Sequence, residues 1–124
     1  MIIVSDTSVI TNLYQIGQLD ILEELFSEIV IPQGVYEELE KLPEQKMQID
    51  AINWITIRKI KDEARYFQLR KTLDRGESES IVLAIELRAD ALLIDEKKGR
   101  KIARESGVEV PGLLGVLWKQ KLKA

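Results

Sequence analysis

Cysteine and histidine are both absent from this chain of 124 residues. Their absence excludes thiol nucleophiles, imidazole bases, haem attachment and zinc sites built from sulfur or imidazole ligands. Proline occurs only three times, and no repeat or low-complexity tract is present, so no segment has the composition of a linker. We therefore expect residues 1–124 to form one domain with a self-sufficient core.

Long apolar runs are also lacking, since none approaches the ~18 to 20 residues that a membrane-spanning helix requires. Residues 1–4 lead directly to Asp6, without the basic region or small-residue cleavage site of a secretory signal. These features predict a soluble, cytoplasmic protein without a membrane partner. Carboxylates are the remaining chemical groups, and the sequence has 21 Asp and Glu residues.

The net charge of -3 hides opposite balances in the two parts of the sequence. Residues 1–55 contain ten acids and two bases, a net of -8, whereas residues 56–124 contain 16 bases and 11 acids, a net of +5. This asymmetry allows an acidic site beside a basic platform. Ordinary solvated helix faces explain the same counts equally well.

Short apolar runs alternate with helical patterns along the chain. The predicted strands are 2–4, 29–31, 54–60, 91–94 and 108–110. Two of the predicted helices begin near 9 and near 33, and four others cover 19–26, 44–52, 64–73 and 78–88. A basic helix that ends at 106 and a last helix around 113–118 follow. The pattern indicates an α/β three-layer sandwich with a central, mostly parallel twisted sheet of four to five short strands flanked by helices.

Several local signals refine these boundaries. Hydroxyl groups within 5–8 are expected to cap the first helix. Pro43 is expected to end the helix that starts near 33, and Gly76 to separate two helices. The polar alternation of 54–60 predicts an edge strand.

Two aspartates directly follow predicted strands, namely Asp6 after the first and Asp95 after the fourth. If the strands are parallel, both lie at the carboxyl edge of the sheet, where ligands bind in folds of this class. Each aspartate alone is explained equally well as a turn or helix-capping residue.

Three glutamates can join that pair. Glu38 lies on the apolar side of its helix, although a plain surface glutamate is the commoner case. Glu77 shares a helical stripe with apolar residues, whereas Glu79 points more toward water and is kept as a substitute. The helix dipole also favours acids in that first turn without any function.

Four carboxylates at one edge would repel each other at neutral pH unless they were protonated or bridged by cations. Oxygen ligands without imidazole or sulfur favour hard ions, so the sequence predicts a site for Mg²⁺ or Mn²⁺. Such an ion lowers the pKa of a bound water and neutralises charge on a phosphate. Metal-assisted phosphodiester hydrolysis fits a chain that has no histidine to act as a base.

Four stretches resemble motifs of the PIN-domain nucleases, specifically the VapC-like toxin branch and its uncharacterised prokaryotic relatives. They are IVSDTS at 3–8 together with Asn12, IPQGVYEEL at 31–39, DRGESE at 74–79 and ADALLIDEKKGR at 89–100. The four occur in family order and span nearly the whole chain. The resemblance implies a metal-dependent ribonuclease that acts on RNA.

The resemblance also implies specific residues and partners. The acidic quartet falls on Asp6, Glu38, Glu77 and Asp95, and Ser8 supports the first carboxylate. In toxin members an antitoxin protein blocks the site and nuclease chains pair as dimers, so we expect an antitoxin and a homodimer here.

Two features depart from the family pattern. Similar sequences usually carry two aspartates after the fourth strand, whereas this chain has Asp95 followed by Glu96. This leaves open whether the longer Glu96 assists the metal. Many relatives also continue into further helices beyond the position of Ala124, so dimerisation or the grip on substrate can differ.

Basic residues begin directly after Glu96 and are candidate contacts for RNA phosphates, with salt-sensitive binding expected. These candidates are Lys97, Lys98, Arg100 and Lys101. A solvated helix face explains them equally well. Three aromatic residues have the chemistry to stack on bases, but packing in the core or an interface explains them more simply. They are Trp54, Tyr66 and Trp118.

Two other functions compete with the nuclease. An aspartate phosphatase or phosphoacceptor domain is also α/β, but position 8 is serine where phosphatases carry a second aspartate, and 54–60 contains no aspartate to phosphorylate. A catalytically inactive PIN-like scaffold that binds RNA or a partner protein stays open, because acids alone do not establish catalytic geometry.

Overall fold

A four-stranded sheet between two layers of helices forms the protein in the computed structural model, which describes residues 1–111. The strands are β1 Ile3–Ser5, β2 Ile29–Pro32, β3 Ile55–Arg58 and β4 Ala91–Leu93. The helices are α1 Thr7–Gln15, α2 Asp20–Phe26, α3 Gln33–Leu39, α4 Pro43–Asp50, α5 Glu63–Leu69, α6 Arg75–Leu87 and α7 Lys97–Glu105. This architecture confirms the predicted α/β sandwich.

The strands lie in the order β3-β2-β1-β4, and all three neighbouring pairs are parallel. The chain builds outward from β1 through β2 to β3, and then places β4 on the other side of β1. In open α/β sheets, ligands bind where the strand order reverses in this way. Here that point lies between the carboxyl ends of β1 and β4.

Alternating side chains of the strands contribute to two separate core clusters. Ile3 and Leu93 belong to the cluster that includes residues of α1 to α4, whereas Val4 and Leu92 belong to the cluster that includes residues of α6 and α7. Successive side chains of a strand point to opposite faces, so wholly apolar strands require helices on both sides. The strand ends are thereby fixed against a rigid scaffold.

The predicted edge strand is confirmed, because β3 pairs only with β2 among the described strands. The prediction that Pro43 ends a helix is wrong: α3 ends at Leu39, and Pro43 begins α4. A proline fits the first position of a helix, where its missing N–H needs no acceptor.

Three further boundaries differ from the sequence prediction. Gly76 does not separate two helices but lies in the first turn of α6. Helix α1 begins at Thr7, without a side-chain cap from the hydroxyls of 5–8. Residues 108–110 form no strand, although the backbone N–H of Leu92 donates to the carbonyl of Glu109 at 2.9 Å. The predicted helix around 113–118 lies outside the described residues.

Within residues 1–111, no helix combines the length and the apolar character that crossing a membrane requires.

Candidate active site

The turn after β1 places Asp6 at the point where the strand order reverses. The backbone N–H of Asp6 donates to the carbonyl of Leu93 at 2.9 Å, which extends the pairing of β1 with β4 by one residue. Asp6 then occupies the N-cap position of α1 and is only 4% exposed. This hydrogen bond fixes its backbone beside the end of β4.

A cavity of about 360 Å³ opens at this point of the sheet edge. Three of the four acids in the predicted quartet line it, and they come from three separate segments of the chain: Asp6, Glu38 and Glu77. The other lining residues are Thr7, Ser8, Thr11, Asn12, Asp74 and Glu96. The structure therefore brings together carboxylates that are far apart in the sequence.

Gly76 allows two of these carboxylates to approach each other across the start of α6. A Cβ atom at this position would lie 3.0 Å from Asp6 Oδ1 and 3.1 Å from Glu38 Oε1. Both distances are tighter than ordinary van der Waals contact. The absence of a side chain at Gly76 thus leaves room for both oxygens.

Glu77 has a structural task in addition to its place in the cavity. Asp74 Oδ1 accepts from the backbone N–H of Glu77 at 2.8 Å, and Glu77 Oε1 accepts from the backbone N–H of Asp74 at 3.2 Å. This reciprocal pair is a capping box, which satisfies two backbone donors at the start of α6. Glu77 Oε2 is buried and accepts no hydrogen bond from a donor among residues 1–111.

Burial and mutual repulsion make two acids of this cavity unusually weak. Burial, with smaller contributions from the charges of Asp74, Glu38 and Glu96, raises the pKa of Asp6 to about 7, although a backbone hydrogen bond from Thr7 opposes the shift.

Burial likewise raises the pKa of Glu77 to about 7, with the charge of Asp74 and the neighbouring carboxyl of Glu96 adding to it. The surroundings of both carboxyls therefore disfavour the negatively charged form. A cation bound beside them would favour that form.

The two acids after β4 occupy different places. Asp95 is exposed, is absent from the lining of the cavity, and accepts a hydrogen bond from Asn12 Nδ2 at 3.2 Å. Glu96 does line the cavity and caps α7, where its Oε2 accepts from the backbone N–H of Gly99 at 2.8 Å. Backbone donors, chiefly that of Gly99, lower the pKa of Glu96.

Glu79 does not point toward water, as its position in the sequence suggested, but is only 6% exposed. Its carboxylate accepts from the backbone N–H of Gly34 at 3.0 Å and from Arg75 Nε at 2.9 Å. Arg75 also binds Glu37. Glu79 therefore links α6 to α3 by a hydrogen bond and does not line the acidic cavity.

Hydroxyl and amide groups complete the cavity wall. Ser8 lines it, but its buried Oγ forms no hydrogen bond within the described part of the chain, so it does not support the Asp6 carboxylate as expected. Thr7 Oγ1 is buried and unpartnered in the same way. Sequence reasoning missed Asp74, although the Asp-x-x-Glu spacing of 74–77 is typical of a capping box.

The donor set of the cavity suits a hard divalent cation, because it consists of carboxylate, hydroxyl and amide oxygens with one buried carboxylate oxygen unpartnered. Within residues 1–111, no three acidic side chains lie close enough together to hold an ion. Carboxylates that share a negative charge repel each other when no cation lies between them. We therefore expect their oxygens to draw together when an ion binds.

The four basic residues proposed for RNA lie in the first half of α7, directly after Glu96. Lys97, Lys98 and Lys101 are exposed and Arg100 is half-buried. None of the four forms an ion pair with an acid in the described residues. Their positive charges are thus available beside the acidic cavity.

Comparison with known proteins assigns this chain to a defined family. The sequence model of a family described as a PIN domain matches residues 2–124. The chain belongs to the PIN-domain family. PIN domains are generally nucleases that use divalent metal ions.

A solved structure supports the same fold. The chain is similar to a PilT N-terminus domain protein from the hyperthermophilic archaeon Sulfolobus solfataricus P2, with 21% sequence identity and a TM-score of 0.68. The match covers 96% of this chain and 92% of that one. No curated protein matches the sequence.

Replacing Glu79 by alanine is expected to destabilise the protein by about 1–3 kcal/mol, because the buried Gly34 N–H loses its acceptor. If Mn²⁺ binds in the acidic cavity, the stabilisation that it gives is expected to stay unchanged, since Glu79 lies outside that cavity. Urea unfolding with and without Mn²⁺ measures both effects. Glu37→Ala is the control, because it removes the other partner of Arg75 but leaves Gly34 bonded. Loss of the Mn²⁺ effect in a folded Glu79→Ala protein would place this residue in the metal site after all.

Proposed function

We propose that this protein is a cytoplasmic endoribonuclease that depends on Mg²⁺ or Mn²⁺, and that it is the toxin component of a toxin-antitoxin pair. The observation that carries the proposal is the acidic cavity at the reversal point of the sheet, whose lining includes Asp6, Glu38 and Glu77. Family membership supports the same class of chemistry. A PIN-like scaffold without catalysis is the competing function.

Each carboxylate has a proposed role toward a bound ion. Asp6 and Glu38 would hold it from both sides of Gly76, and the free Oε2 of Glu77 would add a third oxygen. Asp95 and Glu96 are alternative sources of the fourth carboxylate. When bound, the ion would lower the pKa of a water and neutralise charge on the phosphate. The basic residues at the start of α7 would hold the RNA backbone next to it.

The direct test is incubation of the full chain with a mixed RNA pool in Mn²⁺, in Mg²⁺ and in EDTA. We expect cleavage with either metal and none in EDTA, because the carboxylates cannot act on phosphate without a cation. An equal amount of single-stranded DNA reports whether DNA is also cut. Absence of metal-dependent cleavage on any RNA, with RNA binding retained, would favour the scaffold.

The partner proposals have independent readouts. As a toxin, the chain would arrest growth when expressed alone, and an antitoxin protein encoded beside it would block the acidic cavity and restore growth. The proposed homodimer is measured by light scattering of the purified chain. If the expressed protein cuts RNA but does not slow growth, the toxin role is contradicted. The protein would then be a housekeeping ribonuclease.

A further inference from the structure

A second cavity, of about 300 Å³, lies beside the first turns of α6. Glu77 and the N-cap residue Asp74 line the acidic cavity, whereas Arg75 and Glu79 line the second one. The two cavities therefore share one helix start. The volume of the second cavity is at the lower end of the range for pockets that hold small ligands.

The lining of this cavity includes an aromatic pair, the exposed Phe67 and the half-buried Tyr66. Phe67 is 64% exposed. Its ring meets that of Tyr66 edge to face, with centroids 5.2 Å apart and an angle of 66° between the planes. Phe67 is thus packed against Tyr66 yet largely exposed, and an exposed aromatic ring is a surface on which a nucleobase can stack.

Polar groups of the same cavity are free to contact a ligand. Lys59 is exposed and forms no ion pair with the acids of residues 1–111. The side-chain amide of Gln33 likewise has no hydrogen-bond partner in this part of the chain. Arg75 differs, because Glu37 and Glu79 already bind its guanidinium. Arg75 is therefore held by its acidic partners, whereas Lys59 forms no ion pair within residues 1–111, although Glu63 also lines this cavity.

The lining of this cavity balances two bases, Lys59 and Arg75, with two acids, Glu63 and Glu79, but the segment that supplies most of the lining is basic. Residues 58–71 contain six bases and two acids, which gives a local net charge of +4. Tyr66 and Phe67 lie within this stretch. Basic residues interleaved with exposed aromatic rings are typical of surfaces that bind single-stranded nucleic acid.

The position of Lys59 relates the two cavities geometrically. Lys59 directly follows β3, and Asp6 directly follows β1, so both lie at the carboxyl edge of the parallel sheet. With β2 between them, the strand ends are two spacings apart, or about 10 Å. Lys97 and its neighbours follow β4 on the other side of Asp6. One RNA strand along this edge would contact both basic regions and cross the acidic cavity between them.

We propose that the second cavity binds a nucleotide of single-stranded RNA adjacent to the cleaved position, with its base stacked on Phe67 and its phosphate on Lys59. The free amide of Gln33 contacts the edge of that base, so this subsite contributes to the choice of cleavage sequence. The inference rests on the proposed function in one respect, namely that RNA is the substrate. It assigns a role to Phe67 that sequence reasoning did not foresee.

The test measures RNA binding separately from cleavage, by fluorescence anisotropy of a labelled single-stranded RNA with the full chain carrying Asp6→Asn. In this background, Phe67→Ala is expected to weaken binding about tenfold, and Phe67→Trp to restore it, because stacking requires an aromatic face. Lys59→Ala is expected to reduce the slope of log affinity against log salt concentration by about 0.7, the value for one phosphate contact on a single strand.

Met47→Ala is the matched control, since Met47 is 74% exposed on α4, outside the second cavity. It is expected to change neither the affinity nor the salt slope. Phe67→Ala that binds RNA as tightly as its parent would overturn the subsite, and a concurrent loss of self-association would assign the cavity to a protein interface. Equal weakening by alanine and tryptophan would overturn the stacking role.

The outcomes also separate this inference from the nuclease proposal. A chain that binds RNA through Phe67 but cuts no RNA would refute the nuclease and keep the subsite. A chain in which Phe67→Ala leaves both RNA affinity and the sequence preference of cleavage unchanged would keep the nuclease and refute the subsite.

Discussion

Asp6→Asn is expected to lower metal-dependent RNA cleavage by at least about a hundredfold while the fold is retained. Losing a group that only supports a metal ligand already costs about 10- to 100-fold in activity, so a direct ligand should cost at least as much. Asparagine keeps the shape of Asp6 but removes the negative charge that a cation requires. Initial rates in Mn²⁺, with circular dichroism as the check on folding, measure the effect.

Asp20→Asn is the matched control for this substitution. Asp20 is an exposed aspartate in the first turn of α2, outside the lining of the acidic cavity, so its loss of charge should leave cleavage unchanged. Equal activity of Asp6→Asn and the parent protein would remove Asp6 from the site and favour the scaffold.

The same cleavage assay distinguishes whether Asp95 or Glu96, the two acids after β4, supplies the fourth carboxylate of the proposed metal site. Glu96 lines the cavity, whereas Asp95 is linked to it through Asn12. Loss of cleavage in Asp95→Asn would support the quartet that the family resemblance implies. Loss only in Glu96→Gln would transfer that role to the neighbouring residue.

The metal-free protein is expected to lose stability as the pH rises from about 4 to about 7. Burial raises the pKa of Asp6 from 3.8 to about 7 in the folded state. Between these values the folded protein holds a proton that the unfolded chain has released, so each step up in pH favours unfolding. At about 1.4 kcal/mol per pKa unit, the contribution of Asp6 is roughly 4 kcal/mol at most. Urea unfolding in EDTA across this range measures the loss.

Asp6→Asn isolates that contribution, because asparagine does not titrate. The difference in unfolding free energy between the variant and the parent should therefore grow in favour of the variant up to about pH 7. Adding Mn²⁺ should reverse the order, since a cation that binds only the folded parent stabilises it. A difference that stays constant over this pH range would show that Asp6 is ionised in the folded, metal-free protein.

The sequence was sufficient to predict the parallel sheet and the position of Asp6 at its carboxyl edge, and the place of Glu38 on the apolar side of its helix indicated that it faces inward. Short apolar strands separated by helices leave few alternatives, and residues that follow parallel strands share one edge. The orientation of Glu79 was not predictable from periodicity, because its main partner is the backbone N–H of Gly34, which is 45 positions away. Only the spacing of Arg75 and Glu79 on one helix hinted at their ion pair.

The choice between Asp95 and Glu96 was beyond sequence reasoning for a different reason. Both lie in the short connection between β4 and α7, where neither the strand period nor the helix period applies. Which side chain turns inward depends on the backbone of that connection and on the helix cap that Glu96 forms with Gly99. The basic residues of α7 were easier to place, because they follow a helical pattern from Lys97 onward.

The two hydrogen bonds between Asp74 and Glu77 have a consequence for which residues would change in evolution if selection for activity were relaxed. A descendant that lost the proposed nuclease activity would still benefit from Glu or Gln at position 77, because either side chain completes the capping box of α6. The same descendant would gain stability by losing Asp6. Under the proposed function, the two acids therefore differ as markers in natural variants: a retained Glu77 is explained by the helix cap alone, whereas a retained Asp6 favours a retained metal site.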